Sequence, residues 1–137
     1  MNRFFSNPAA TPIMISALMA VGILITLFAC QPDATPKAKE SKGWLDKFYM
    51  HYAIRGAWEF FGSQAKDKNV IVEINVPERQ AQDLMNLPDD QRTALIAHNT
   101  CPPKDQDIWR KLDVDGDIII HTRLNGNIFA EVRCRNN

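Results

Sequence analysis

A chain of 137 residues has room for one domain and short appendages. Its 16 basic and 16 acidic residues cancel. That balance excludes the basic excess of a dedicated nucleic-acid binder and offers no polybasic patch to a membrane surface.

The chain opens on an export-like segment. From Ile13 to Ala29 it runs IMISALMAVGILITLFA without a charge, and Arg3 is the only charged side chain before it. A positive start, an apolar run and a small residue before a cut mark a secretory signal. The run is shorter than the roughly 20 apolar residues of a spanning helix. It ends in Leu27-Phe28-Ala29-Cys30. This resembles the lipobox of bacterial lipoproteins, in which an aliphatic, a variable and a small residue precede the cysteine to be lipidated. The resemblance covers residues 1–30 only.

As the resemblance implies, residues 1–29 are a signal peptide. Cys30 receives a diacylglyceryl thioether and, after cleavage, an amide-linked acyl chain of the palmitate kind. The membrane is then a partner through that lipid. Each buried methylene contributes about 0.8 kcal/mol, so one chain holds reversibly and two or more hold firmly. In Gram-negative lipoproteins, Asp after the cysteine retains the protein at the inner membrane. Gln31 stands here, which implies delivery to the outer membrane, facing the periplasm. An uncleaved signal anchor in the inner membrane is the alternative.

Three cysteines are an odd number. With Cys30 carrying lipid, Cys101 and Cys134 are left as one pair for an oxidising periplasm to join; the alternative is two buried free thiols. Residues 30–43 read as the lipidated cysteine and a flexible tether, since QPDATPKAKESKG offers nothing to bury. As a coil it reaches roughly 20 Å. Residues 44–137 then form a single domain.

That domain begins with a predicted long helix over Trp44–Ser63, which holds seven of the twelve aromatic residues. Met50, Ile54, Ala57, Trp58 and Phe61 follow helical spacing, as do Leu45, Phe48, Tyr49 and Tyr52. Asn69–Val76 alternates as a strand closed by Pro77. A short helix is predicted from Glu78 to about Asn86. A second starts at Pro88-Asp89-Asp90 and stops near Asn99.

The last third carries three apolar runs parted by Asp115-Gly116 and Asn125-Gly126, dipeptides favoured in hairpin turns. A three-stranded antiparallel meander is expected. Parity argues for a bulged or three-residue turn. Only then do Leu112, Val114, Ile118, Ile120, Thr122, Leu124, Ile128, Ala130, Val132 and Cys134 share one face. The fold class is α+β, with helices on one face of a small antiparallel sheet.

Chemistry is harder to find. Asp113-Val114-Asp115-Gly116-Asp117 misplaces the glycine of a calcium loop and puts Leu124 where a glutamate is required. His51, His98 and His121 lack the i, i+4 spacing of a helical metal site. Neither a metal nor any other cofactor is expected, nor is catalysis. The surplus of aromatic surface points to binding instead, with Trp44, Trp58, Phe61 and Trp109 as candidate contact residues. The sequence thus suggests an envelope protein that binds a protein partner, with an accessory role in a secretion, conjugation or pilus machine among the expectations. An inhibitor or small-ligand binder is the alternative, for which an apolar pocket beside Trp58 or Trp109 is expected.

Overall fold

The computed structural model describes residues 33–51, 54 and 57–134. The expected signal segment, the lipobox and Cys30 lie outside the described residues. All described residues belong to one compact unit that begins at Asp33. Among them no helix is long and apolar enough to cross a membrane.

The first helix, α1 (Pro36–His51), corrects the expected tether. Thr35 caps it: the Ala38 N–H donates to Thr35 Oγ1 at 3.1 Å, and Pro36 takes the first helical position, where its missing N–H costs nothing. Ala38, Ser41, Leu45 and Tyr49 form one buried stripe, at the spacing of a core-facing helix. The first two members are small and one is polar, so the segment reads as hydrophilic. Their size lets the helix approach closely, and the Ser41 hydroxyl donates to the Lys111 carbonyl at 3.2 Å. The domain therefore starts at about Thr35 and not at Trp44.

The aromatic helix is shorter than predicted at its other end. It stops at His51, and Glu59–Lys66 is strand β1. Aromatic residues suit strands as well as helices, and Gly62 weakens a helix across this stretch. A two-residue turn at Asp67-Lys68, with Asp67 at φ 53°, folds β1 back onto β2 (Asn69–Asn75). A bulge between Phe60 and Gly62 lets Phe60 stack on Tyr49, centroids 5.6 Å apart, while Phe61 points outward. Met50, expected on a core stripe, is 67% exposed.

After β2 come α2 (Glu78–Met85), α3 (Asp89–Thr100) and the single turn α4 (Ile108–Lys111). Then follow β3 (Ile118–Leu124) and β4 (Asn127–Cys134). The sheet order is β1-β2-β3-β4. β1–β2 and β3–β4 are antiparallel, but β2–β3 is parallel. The three helices supply the crossover that a parallel pair demands.

The class is α+β. The sheet, however, is mixed, and the expected meander reduces to one hairpin. Residues 108–114, expected as its first strand, form α4 and a turn instead, and Val114 is 97% exposed. Gly116 serves close approach, since a Cβ there would lie 2.5 Å from the Lys68 carbonyl oxygen.

The remaining hairpin keeps even positions together by a different device. Asn125 and Gly126, at φ 50° and 83°, make a two-residue turn that pairs Leu124 with Asn127. The register then shifts, so that Thr122 meets Ala130 and Ile120 meets Val132. The bulge sits in the strand, after two residue pairs beyond the turn. Ile128 pairs with Arg123 and is 52% exposed, so it leaves the predicted inner face.

Val70, Val72 and Ile74 of β2, Ile118 and Ile120 of β3, and Val132 and Cys134 of β4 share one cluster with Leu45, Ala81, Leu84, Ile96 and Ile108. Every helix thus contributes to the same face of the sheet. The opposite face combines the pairs Arg123–Glu73, at 2.5 Å, and His121–Glu131, at 3.2 Å, with the paired isoleucines Ile71 and Ile119, which are also buried.

Cys101, just after α3, and Cys134, the last residue of β4, are joined as a disulfide, Cα atoms 5.5 Å apart. Beside it the Tyr49 hydroxyl donates to the Thr100 carbonyl at 2.6 Å. Burial pushes that hydroxyl's pKa well above the usual tyrosine range. It stays a donor, tying α1 to the end of α3.

Candidate functional site

The four candidate contact residues do not converge. Trp44 is half-buried and stacked on Phe48, centroids 5.1 Å apart. Phe61 is 61% exposed on edge strand β1, with the Arg123 guanidinium 4.9 Å from its ring centroid. Trp109, on α4, donates its indole N–H to the Pro103 carbonyl at 2.8 Å. Trp58 is only 7% exposed. An aromatic patch assembled from all four is therefore not formed.

Two of them line cavities. Trp58 follows Ala57, whose φ of 61° lies in the left-handed region, and stands immediately before β1. Its indole N–H donates to Gln80 Oε1 at 2.6 Å, which fixes the ring plane. Around it lies a groove of about 400 Å³, lined by Leu84, Leu87 and Leu95 with Gln80, Asp83 and Asn99. This is the size of a small-ligand site, apolar with a few polar groups at its margin. Leu84 is buried in the core while Leu95 is 42% exposed, so the apolar lining runs continuously from interior to surface.

The groove follows from the spacing of two short helices. Gln80, Asp83, Leu84 and Leu87 fall at i, i+3, i+4 and i+7, one side of α2 and its exit. Leu95 and Asn99 are i, i+4 on α3. Leu95 and Ile96 are adjacent, so only one can enter the core. Ile96 does, and Leu95 is left at the groove. These residues escape notice in the sequence because each helix carries too few apolar positions to announce a second surface. The adjacency of Leu95 and Ile96 is the signal that reveals it.

Trp109 lines a larger and more polar hollow of about 580 Å³, together with Tyr49, Pro103, Arg133 and the Cys101–Cys134 disulfide. Among the described residues no group of three or more His, Cys, Asp or Glu is placed to hold a metal ion.

No protein-family model matches the chain, and no curated protein matches it. Among solved structures, a crystal structure of a "putative secreted protein" from Pseudomonas aeruginosa is similar, with a TM-score of 0.49 and 14% identity. The match covers 74% of this chain and 95% of that one. A likeness that shallow transfers no function.

Proposed function

We propose that this chain is a lipid-anchored protein of the bacterial envelope whose domain binds a partner and does no chemistry on it. The anchor half of the reading is supported by the lipobox-like Leu27-Phe28-Ala29-Cys30 and by Gln31, which favours the outer membrane, facing the periplasm. The joined Cys101 and Cys134 suit an oxidising compartment.

One observation carries the binding half: the apolar groove beside Trp58, whose indole is held in place by Gln80 before any ligand arrives. Pre-organisation of that kind reduces the ordering cost of association. The occupant in the leading reading is an apolar side chain of an envelope protein. A second reading, favoured by the groove's volume of about 400 Å³, is a small apolar ligand.

One experiment with two arms tests both. A photo-crosslinker replacing Leu95 in intact cells should yield a discrete larger adduct if a protein fills the groove. In a Trp44→Phe, Trp109→Phe background, Trp58 emission should shift saturably with a small lipophile if a free ligand fills it. Only uncrosslinked monomer in the first arm, together with unchanged emission across fatty acids, lysolipids and apolar peptides in the second, overturns the binding role.

A further inference from the structure

We infer that the end of the domain carrying the Asp67-Lys68 turn and the Asp113–Gly116 turn faces the phospholipid headgroups, and that the Trp58 groove opens away from them. This rests on the lipid anchor at Cys30 proposed above.

The geometry begins at Thr35. Its backbone N–H donates to the Asp67 carbonyl at 2.7 Å, and its hydroxyl donates to Asp113 Oδ2 at 2.5 Å. Two turns thus hold the residue from which α1 departs. Only Gln31 to Ala34 separate it from Cys30. Five residue steps span at most about 18 Å when fully extended.

The groove lies at the other end of the sheet. Asn69 opens β2 beside the Asp67-Lys68 turn, while Asn75 closes it and pairs with Glu59, the neighbour of Trp58. The six steps from Asn69 to Asn75, at about 3.3 Å each, separate the two ends by about 20 Å. Pressing the groove onto the bilayer with the turns outward would lift Thr35 by about that distance, beyond the reach of its leash. A tether of thirteen residues, extending to roughly 45 Å, would have allowed either pose. The leash decides the matter because α1 begins at Pro36.

Electrostatics does not compete. Lys68 pairs with Asp115 at 3.3 Å, and Lys39 with Asp33 at 3.6 Å. The two turns themselves hold Asp67, Asp113 and Asp115 against Lys68, so charge does not draw this end to anionic headgroups and the contact is imposed by tethering.

The test uses the full chain, expressed with its leader and reconstituted in vesicles of phosphatidylethanolamine and phosphatidylglycerol containing a headgroup spin-labelled lipid. Lys68→Cys and Leu95→Cys each supply one free thiol for a fluorophore, attached without reducing Cys101–Cys134. The label at position 68 should be quenched several-fold more strongly than the label at 95. Equal or reversed quenching, on protein whose mass includes its acyl chains, overturns the orientation and leaves the anchor standing. A mass without acyl chains removes the anchor and the orientation with it. Inserting about ten Gly/Ser residues after Gln31 should collapse the difference, since such linkers are flexible coils. A difference that survives the insertion also overturns the inference, because the leash would not be its cause.

Discussion

Replacing Cys101 and Cys134 with alanine, or reducing their bond, is expected to lower the melting temperature of the domain by about 15–30 °C. The two cysteines are 33 positions apart in sequence. In the chain-entropy account a cross-link over that span contributes on the order of 4 kcal/mol by restricting the unfolded chain. A domain of about 100 residues loses roughly 4–8 °C for each kcal/mol.

The location makes the loss local as well as global. Cys134 is 2% exposed at the end of β4, and Cys101 leaves α3 beside the Tyr49–Thr100 hydrogen bond. Freed from the bond, the end of α3 is held by Tyr49 and by packing alone. Thermal unfolding followed by circular dichroism, with and without a reductant, checks the value. A change of less than about 1 kcal/mol would contradict a contribution of that size.

The second large effect is expected from Ala38→Asp. Ala38 has no accessible surface, and it lies in the stretch that reads as tether. A carboxylate there must either ionise cut off from water or force α1 out of its contacts. Both routes cost about 3 kcal/mol or more. The neighbouring Lys37 is exposed, so Lys37→Asp should stay within about 0.5 kcal/mol. Denaturant unfolding of the pair separates a helix from a tether. Two equally silent substitutions would contradict α1 at its beginning.

The contrast between Ala38 and Lys37 also explains what sequence reading could and could not reach. The strand at Asn69–Asn75 and helices α2 and α3 were legible because β-branched alternation and proline starts act locally. The start of α1 was not. Its stripe begins with Ala38 and Ser41, whose burial depends on a close fit against Lys111 and not on hydrophobicity. The cap was nevertheless written in Thr35-Pro36.

The strand at Glu59–Lys66 was hidden by competition. Trp58 and Phe61 are three apart, which satisfies a helix as well as the strand that places the adjacent Phe60 and Phe61 on opposite faces. In the C-terminal hairpin, parity correctly demanded an irregularity but placed it in the turn, whereas it lies in the strand. Asn125 and Gly126 both accept positive φ, so the tight turn forms and the bulge moves into β4. The groove itself was half legible. Trp58 stood out by size, but the leucines that complete the site are ordinary residues brought together by the divergence of two short helices.

The point at which the folded domain begins sets the length of the leash and, with it, the direction in which the groove faces. Native-state hydrogen exchange of the amides from Glu40 to Gly43 measures it directly. They should be protected to the same order as the amides of β2 and β3, because α1 is docked by Ala38, Ser41 and Leu45 and opens only with the core. Exchange at the rate of an unstructured peptide, with β2 and β3 still protected, would contradict the account.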